Sequence, residues 1–405
     1  MTLLLVLLAG CAAKDVKRIP ILDTVPAGEL TRIGRLPVLH LNGSPYDMGY
    51  QHGSLMRAQV KASVANALSS ADRWGWIPFM GKRLARHRLD QAWRQMAPFV
   101  PQSFLEEMKG LADGANVSLR SLQQVHALME LAAVSGASSA VFGKGTKDGR
   151  LIQIRNFDWA IQSGVQDDAA IFVYHPTGGI PFVTAGWLGF IGAVSGINAH
   201  GISIAEIGAK TVDESLKGIP MPFVLRRVLA ESDNLDKAVA IVQTAVRTGG
   251  YNYLFADAQA KKAVALETTH SRCAVFWVNK EPKNPLSVLV ENGMVRSEFA
   301  LDPAVRDFQV TCRGNPSRFG VESPEGSGAY DIRYRGQGLL IRRFYGTMDP
   351  EVAMAIARAI APRNNIQSVV YAYPQMWVAN AEGRRSAADG TYQEIDLEGF
   401  LKELE

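Results

Sequence analysis

Apolar residues recur at three- and four-residue spacing through the first third of the chain, a pattern typical of amphipathic helices. The pattern runs from residue 46 to about residue 71 and then through three more segments. These predicted helices cover residues 83–96, 102–115 and 119–131, and Pro101, Ser103 and Ser118 are their start signals. A strand is expected before them at 36–41. Residues 45–132 are therefore predicted to be mostly helical.

From residue 136 onward, short β-like runs separated by tight turns replace the helical pattern. These strands are predicted at 140–142, 151–156, 170–174, 180–185, 190–197 and 202–207. Helices are then expected at 222–231 and 234–247, and strands at 252–257, 263–268, 274–278 and 286–290. A helix pair at 336–344 and 349–360 and strands at 366–371 and 376–379 follow a long irregular loop at 310–334. This order favours an α+β fold, a four-layer α/β/β/α sandwich of two antiparallel sheets.

Composition and charge narrow the class of protein. The chain has 405 residues, 43 Lys and Arg, 39 Asp and Glu, and a formal net charge of +4. That charge is too small to indicate nucleic-acid binding. With 47% hydrophobic residues the chain has enough apolar side chains for a packed core. Its three cysteines, Cys11, Cys273 and Cys312, exclude a disulfide framework and a four-cysteine zinc site, and leave open whether the last two pair.

The first residues have the pattern of an export signal. Residues 3–8 are apolar, and Ala9, Gly10 and Cys11 follow before the charged Lys14. The run is too short to span a bilayer but suits a signal peptide with a small-residue cleavage site. The segment 8–11 resembles the bacterial lipoprotein box, so Cys11 is predicted to be lipidated and the protein to be anchored on the periplasmic or extracellular side. The alternative is a cytosolic start with a chance apolar run.

A predicted hairpin brings together residues of types that occur in catalytic sites. One strand begins with Ala137, Ser138 and Ser139, and the returning strand ends with Arg155 and Asp158. Such a hairpin would place a hydroxyl, a cation and a carboxylate in one neighbourhood. On spacing alone, an ordinary surface ion pair between Arg155 and Asp158 is the favoured interpretation.

Six segments, in order along the chain, resemble one enzyme family. They are GSPYDMGYQHG at 43–53, EMKGLADG at 107–114, KDGR at 147–150, RNFDW at 155–159, GINAHG at 196–201 and GYNYLFAD at 250–257. The family is the acyl-coenzyme A:6-aminopenicillanic-acid acyltransferase (isopenicillin N acyltransferase) group of N-terminal-nucleophile hydrolases, which is related to bile salt hydrolases and acid ceramidases. The resemblance extends from about residue 36 to the C-terminus.

The resemblance implies a fold, an activity and a set of site residues. In the family, the precursor cuts its own chain after a glycine, and the freed cysteine uses its α-amine as base; an α-amine titrates near pH 8 and suits that task. By resemblance, Arg155 and Asp158 would orient nucleophile and substrate, while Asn198 and Asn252 would hold the oxyanion or the freed amine. Arg333 or Arg335 would be a further site cation. The implied substrate is an acylated amine or amino acid, with an acyl donor as a second partner.

The chain departs from the family at the nucleophile position, where Ala137 replaces the cysteine. Three alternatives stay open. The nucleophile has moved to Ser138, with the cut between Ala137 and Ser138, although a one-residue shift turns a strand side chain to the opposite face unless a bulge absorbs it. The protein is instead an uncleaved relative that binds substrate without turnover, or Ala137 is an engineered substitution that traps the precursor.

The sequence thus predicts an amide hydrolase or acyltransferase, with a catalytically inactive, substrate-binding lipoprotein as the alternative. The predicted boundaries are a signal peptide at 1–10, a linker at 11–35, a helical pro-region at 36–136 and an N-terminal-nucleophile hydrolase domain at 137–405. No metal site, nucleotide-binding loop or cofactor is expected, because none of the corresponding motifs occurs.

Overall fold

The computed structural model describes residues 23–72, 81–132, 134–281, 287–310 and 332–402. The predicted signal peptide, Cys11 and Cys312 lie outside these ranges, as does most of the loop predicted at 310–334. Within the described ranges no helix is long and apolar enough to cross a membrane.

Five helices form most of the N-terminal segment, which the periodicity predicts to be mostly helical, but the single helix predicted from residue 46 to about 71 is broken at Met56 into two. They are α1 (Pro45–Leu55), α2 (Arg57–Asp72), α3 (Gly81–Met96), α4 (Gln102–Ala115) and α5 (Leu119–Leu131). α1 begins with a capping box, in which Ser44 accepts from the backbone N–H of Asp47 and the Asp47 carboxylate accepts from the backbone N–H of Ser44. Ser118 caps α5 in the predicted way by accepting from the Ser121 backbone N–H at 3.1 Å.

The larger sheet has ten strands in the order β1-β2-β3-β6-β7-β8-β9-β10-β11-β12. Their bounds are β1 (Asp23–Val25), β2 (Gly28–Ile33), β3 (Leu36–Gly43), β6 (Ala169–Pro176), β7 (Phe182–Trp187), β8 (Ser195–Asn198), β9 (Ile202–Gly208), β10 (Tyr251–Asp257), β11 (Lys262–Thr268) and β12 (Cys273–Trp277). β3 and β6 pair in parallel, with Val38 opposite Ile171. The prediction of purely antiparallel sheets is therefore wrong at this one junction, where the N-terminal strands join the rest of the sheet.

The smaller sheet has six strands in the order β13-β4-β5-β14-β15-β16, all antiparallel. Their bounds are β4 (Ser135–Val141), β5 (Ile152–Asp158), β13 (Gly293–Ser297), β14 (Asn365–Ala372), β15 (Gln375–Asn380) and β16 (Gln393–Asp396). The strand predicted at 286–290 is wrong, because the strand of this region is β13, a few residues later. The predicted loop also ends earlier than residue 334, since a helix starts at Ile332.

The two sheets pack face to face, and helices cover both outer faces. β4 and β5 lie against β9, while β13 lies against β10 and β11. The remaining helices are α6 (Met221–Glu231), α7 (Leu235–Thr244), α8 (Pro303–Arg306), α9 (Ile332–Arg343), α10 (Pro350–Ile360) and α11 (Leu397–Leu401). α1, α6 and α7 pack on the larger sheet, and α9 and α10 pack on the smaller one. This arrangement confirms the predicted α+β fold and its α/β/β/α layers.

α1 and α4 touch through their backbones because four glycines line their contact. Gly49 and Gly53 of α1 face Gly110 and Gly114 of α4, each pair spaced by four residues on one helix face. A methyl group at Gly110 would overlap the carbonyl oxygen of Tyr46, and one at Gly49 would overlap that of Glu107. The close approach of the helices therefore requires glycine at these positions.

We expect Gly110→Ala to lower the free energy of unfolding by about 2–3 kcal/mol, because the helices must separate to admit the methyl group. Urea denaturation at neutral pH measures the loss. Gly336→Ala is the matched control: Gly336 also lies within a helix, but a methyl group there meets no atom within 4 Å. That control should be neutral or stabilising by up to about 1 kcal/mol. Equal losses in both variants would contradict the proposed helix contact.

Candidate functional site

The β4–β5 hairpin brings together most of the residues singled out in the sequence. In its register Ser138 lies opposite Arg155, Ala137 opposite Asn156, and Ser135 opposite Asp158. β4 also pairs with β13 on its other side, where Arg296 is the partner of Ser138 and Ser297 the partner of Ala137. The hairpin thus places a hydroxyl, a cation and a carboxylate on adjacent strands within the molecule.

Neighbouring residues of β4 face different layers of the fold. Ser138 and Arg155 face the larger sheet, where Arg155 reaches Glu206 of β9. Ala137 and Asn156 face the opposite way, toward the helices on the smaller sheet, and the Asn156 amide donates to the carbonyl of Ala357 in α10 at 2.8 Å. The side chains at the two candidate nucleophile positions, 137 and 138, therefore face different layers of the fold.

Arg155 and Glu206 form an ion pair that is completely buried. Arg155 Nη2 lies 3.2 Å from Glu206 Oε2, and the guanidinium lies 4.4 Å from the centre of the Phe157 ring. Burial lowers the pKa of Arg155 and raises that of Glu206 to about 7, even with the two charges side by side. Among the described residues, Arg155 Nε and Nη1 and Glu206 Oε1 have no hydrogen-bond partner. This pair therefore keeps two donors and one acceptor for a polar ligand.

Asp158, at the end of β5, is held by a second cation and two neutral donors. Arg333 Nη1 lies 2.5 Å from its Oδ2, and the Asn365 amide donates to its Oδ1 at 3.0 Å. The Ser135 hydroxyl lies 3.4 Å from Oδ2. Of the two arginines named from the sequence, Arg333 reaches this carboxylate, whereas the side chain of Arg335 is exposed.

The two predicted amides occupy different places. Asn252 of β10 donates to the Ser297 carbonyl at 2.7 Å, next to Ala137, and its Oδ1 has no partner among the described residues. Asn198 ends β8, where its Nδ2 donates to the carbonyls of Leu229 and Ser232, and its Oδ1 accepts from two backbone N–H groups of the following turn. These four bonds use the full capacity of the Asn198 amide. The structure does not bring Asn198 to the other site residues.

Two glutamates near the hairpin, the buried Glu206 and the half-buried Glu130, were not identified from the sequence. Besides Glu206, Glu130 at the end of α5 accepts hydrogen bonds from the Met221 backbone N–H, the Thr248 hydroxyl and the Tyr251 hydroxyl. Burial raises the pKa of Glu130 to about 7, and the nearby Glu130 carboxylate raises the pKa of Glu206 further. The signal for Glu206 was a single acid within the apolar strand ISIAEIG at 202–208, a position where an unpaired charge is costly.

Ser138 lies inside a regular, fully paired strand. Its side chain is buried and its hydroxyl donates to the Ile154 carbonyl at 2.7 Å. The register of β4 shifts neither against β5 nor against β13, so no bulge returns Ser138 to the face of residue 137. Both flanking cations are already paired: Arg155 with Glu206, and Arg296 with Glu267 and Glu281.

Over the described ranges, no group of three or more His, Cys, Asp or Glu side chains is arranged to hold a metal ion. Cys273 lies at the edge of the larger sheet on β12, away from the hairpin, and burial raises the pKa of its thiol.

Comparisons with known proteins agree with the family resemblance described in the sequence analysis. The family described as acyl-coenzyme A:6-aminopenicillanic acid acyl-transferase matches residues 145–284, about a third of the chain, and the match begins after Ala137. It confirms the family resemblance that the sequence predicts. This family points to an amide hydrolase or acyltransferase of the N-terminal-nucleophile type.

Individual relatives are distant. Protein dcd1B of Dictyostelium discoideum is 24% identical over 62% of this chain, and the N-acylethanolamine-hydrolyzing acid amidase of Rattus norvegicus is 22% identical over 48% of it. The chain spans 54% of the length of each of these two curated relatives. A solved Caenorhabditis elegans orthologue of N-acylethanolamine-hydrolyzing acid amidase is 13% identical, with a TM-score of 0.43 over 58% of this chain and 92% of that one.

Proposed function

We propose that the protein recognises an acylated amine or amino acid at the β4–β5 hairpin and holds it without forming an acyl-enzyme. The observation that carries this proposal is the buried methyl group of Ala137, at the position where the resembling family has its nucleophile. A methyl group can neither attack an amide carbonyl nor initiate the cut that would free an α-amine. Polar groups are nevertheless retained on the hairpin, with Asn156 and Asp158 on the face of Ala137 and Arg155 with Glu206 on the opposite face.

The polar groups suit an amide ligand. The two unpartnered donors of Arg155 fit a carbonyl or carboxylate oxygen, and the free Oε1 of Glu206 fits the N–H of the amide. Asp158, fixed by Arg333 and Asn365, supplies a rigid carboxylate at the end of the same strand. These groups are buried, so each hydrogen bond they make to a ligand is worth more than the same bond in water.

Turnover through Ser138 is a second candidate, because Ser138 lies directly opposite Arg155 in the register. In this version the chain would cut between Ala137 and Ser138, and the freed serine would serve as nucleophile with its own α-amine as base. The buried hydroxyl, its bond to the Ile154 carbonyl and the absence of a bulge favour the binding function.

We expect the purified chain to stay intact at neutral pH and to bind N-lauroylglycine or N-lauroylethanolamine. Intact mass, N-terminal sequencing and calorimetric titration measure these properties. Glu206→Gln keeps the shape of the side chain but removes its charge, and it should weaken binding roughly tenfold, the cost of one charge-assisted hydrogen bond. Ser138→Ala should bind as the parent does.

Two results would contradict the proposed binding function. Two fragments with a new N-terminus at Ser138, absent from Ser138→Ala, would establish a serine amide hydrolase or acyltransferase and reject the binding-only proposal. A chain that stays intact but shows no ligand-induced heat with either probe would reject the proposed ligand class.

Localisation is part of the same proposal. Export, lipidation at Cys11 and anchoring on the outer side of a bacterial membrane have the support of the sequence pattern at residues 1–13. An anchored binding protein would meet acylated amines in or near the lipid phase. The division into a pro-region at 36–136 and a hydrolase domain at 137–405 is likewise proposed on the resemblance.

A further inference from the structure

Helix α3 of the N-terminal segment is strongly cationic. α3 carries five Lys and Arg side chains and one Asp, a net charge of +4. The formal net charge of the entire chain is also +4. α9, with four arginines and no acidic residue, also carries +4, so α3 and α9 are two strongly cationic helices in a chain that is otherwise slightly acidic.

The exposed residues of α3 form one continuous face. Leu89, Ala92, Trp93 and Met96 are buried against the protein. At about 100° per residue, the exposed side chains fill an arc of roughly 140°. Its members are Arg83, Leu84, His87, Arg88, Gln91, Arg94 and Gln95. We call this arc the α3 face, and it contains no acidic residue.

The arginines of the α3 face are not held in close ion pairs by described residues of the protein. Arg83, Arg88 and Arg94 form no ion pair within 4 Å in the described part of the chain, although Arg94 is near enough to Asp90 to help lower the pKa of that carboxyl. Asp90, the one acid of α3, is bound by Arg120 at 2.5 Å and by Gln124 at 2.8 Å, and Arg86 is bound by Asp72. Internal ion pairs therefore leave the three arginines free to meet an anionic surface.

Apolar side chains accompany the charges. Leu84 belongs to the α3 face, between Arg83 and Arg88 around the helix, and is 48% exposed. Leu119, at the start of α5, is 36% exposed and adjoins Arg120, whose ion pair with Asp90 fixes it beside α3. An amphipathic helix with arginines around exposed leucines suits the boundary between lipid headgroups and acyl chains. A nucleic-acid surface would gain nothing from burying these leucines.

We propose that the α3 face docks the protein on an anionic phospholipid membrane. The arginines contact the headgroup phosphates, and Leu84 and Leu119 enter the boundary with the acyl chains. This docking is independent of the lipid predicted at Cys11, and together the two contacts would hold the protein with one defined face toward the membrane.

The test uses the chain from Lys14 onward, which keeps every described residue and lacks the predicted lipid site. Sedimentation with vesicles of phosphatidylcholine containing about 30% phosphatidylglycerol measures binding. We expect binding that is lost in pure phosphatidylcholine and in about 1 M NaCl, where the Debye length is about 3 Å. The triple variant R83E/R88E/R94E should bind at least roughly 100-fold more weakly, because each arginine near an anionic surface contributes about a factor of five.

Two matched variants identify the cause. R83K/R88K/R94K keeps the charge and should bind within a few-fold of the parent. R35E/R384E/R385E makes the same change of net charge at three exposed arginines elsewhere and should also retain binding. Thermal melts confirm that all variants are folded. Equal loss in both charge-reversed variants, or undiminished binding of R83E/R88E/R94E, would overturn the proposal, and so would tight binding to a duplex oligonucleotide without vesicle binding.

Discussion

The Ala137→Cys variant is expected to cut its own chain between residues 136 and 137. The thiol would replace a buried methyl group that lies opposite Asn156 and on the same strand face as Ser135. Asp158 is the diagonal neighbour of residue 137 across the hairpin, about 7–8 Å away between Cα atoms and within reach of side chains. These neighbours are already present, so we expect the addition of one sulfur atom to be enough for the cut.

The reaction is an N-to-S acyl shift. The thiolate attacks the carbonyl carbon of Gly136, the C–N bond to residue 137 breaks, and the departing nitrogen takes up a proton to become a free α-amine. Water then hydrolyses the thioester, which leaves a carboxylate at Gly136 and a free thiol at residue 137. Mass spectrometry should find two fragments that sum to the intact chain plus one water, and sequencing should read Cys at the new N-terminus.

The controls separate this chemistry from adventitious proteolysis. Ala137→Ser offers a weaker nucleophile and should cut more slowly, while Asp158→Asn in the Ala137→Cys background should slow the cut at least about 100-fold if the carboxylate takes up the thiol's proton. An Ala137→Cys chain that stays whole under reducing conditions would mean that more than the nucleophile is missing. That result would favour the binding function, because the residues around position 137 would then not support the cut either.

Removal of the Arg226 side-chain charge should be the most damaging single change to stability. Arg226 of α6 donates two hydrogen bonds to the Glu107 carboxylate of α4, at 2.9 and 3.1 Å, and also donates to the Ile191 carbonyl. Its guanidinium lies 3.9 Å from the centre of the Tyr174 ring. Because Glu107 is buried, Arg226→Met leaves an unpaired carboxylate in the core, and we expect a loss of about 3–5 kcal/mol at pH 8 by urea denaturation.

The loss should depend on pH in a definite direction. Burial already raises the pKa of Glu107, and removal of the cation raises it further. A carboxyl whose folded-state pKa is raised stabilises the fold while protonated and ceases to do so as pH rises through that pKa. Arg226→Met should therefore lose less at pH 5 than at pH 8, and the double variant E107Q/R226M should recover much of the difference.

The neighbouring residue is the control for this pair. Arg227 makes the same kind of contact with Glu231, at 2.8 Å, but on the surface of α6. Exposed ion pairs contribute little, so Arg227→Met should cost less than about 1 kcal/mol at either pH. A similar loss in both variants would show that burial of the Glu107 charge is not the cause.

Helices with clear start signals were predictable from the sequence. The predicted bounds of α4 and α5 agree with the structure, because each helix has an unbroken apolar stripe and a cap or proline at its start. The short apolar run at 286–290 was misleading. The real strand, β13, contains the fully buried Arg296, whose partners Glu267 and Glu281 come from other parts of the chain. A charge made tolerable by distant residues cannot be read from a local pattern.

The site was predictable only where it is local. The β4–β5 hairpin joins two neighbouring segments, so its residues were identifiable from the turn between them. Arg333 meets Asp158 across 175 positions, and Glu206 meets Arg155 across 51. Such contacts depend on how sheets and helices stack, which no window of sequence contains. Asn198 shows the converse: its motif was recognisable, but its amide is used entirely by the backbone of its own turn and by the end of α6.

The parallel pairing of β3 with β6 has a consequence for the reversibility of folding. These strands lie on opposite sides of position 137, yet they share one hydrogen-bonded ladder. An uncut chain refolds as a single molecule, at a rate that does not depend on its concentration. After a cut, the same ladder would have to form between two separate polypeptides, and the refolding rate would rise with concentration. At low concentration, unfolding of the cut protein would therefore be effectively irreversible. The uncut chain with Ala137 can unfold and refold even at extreme dilution.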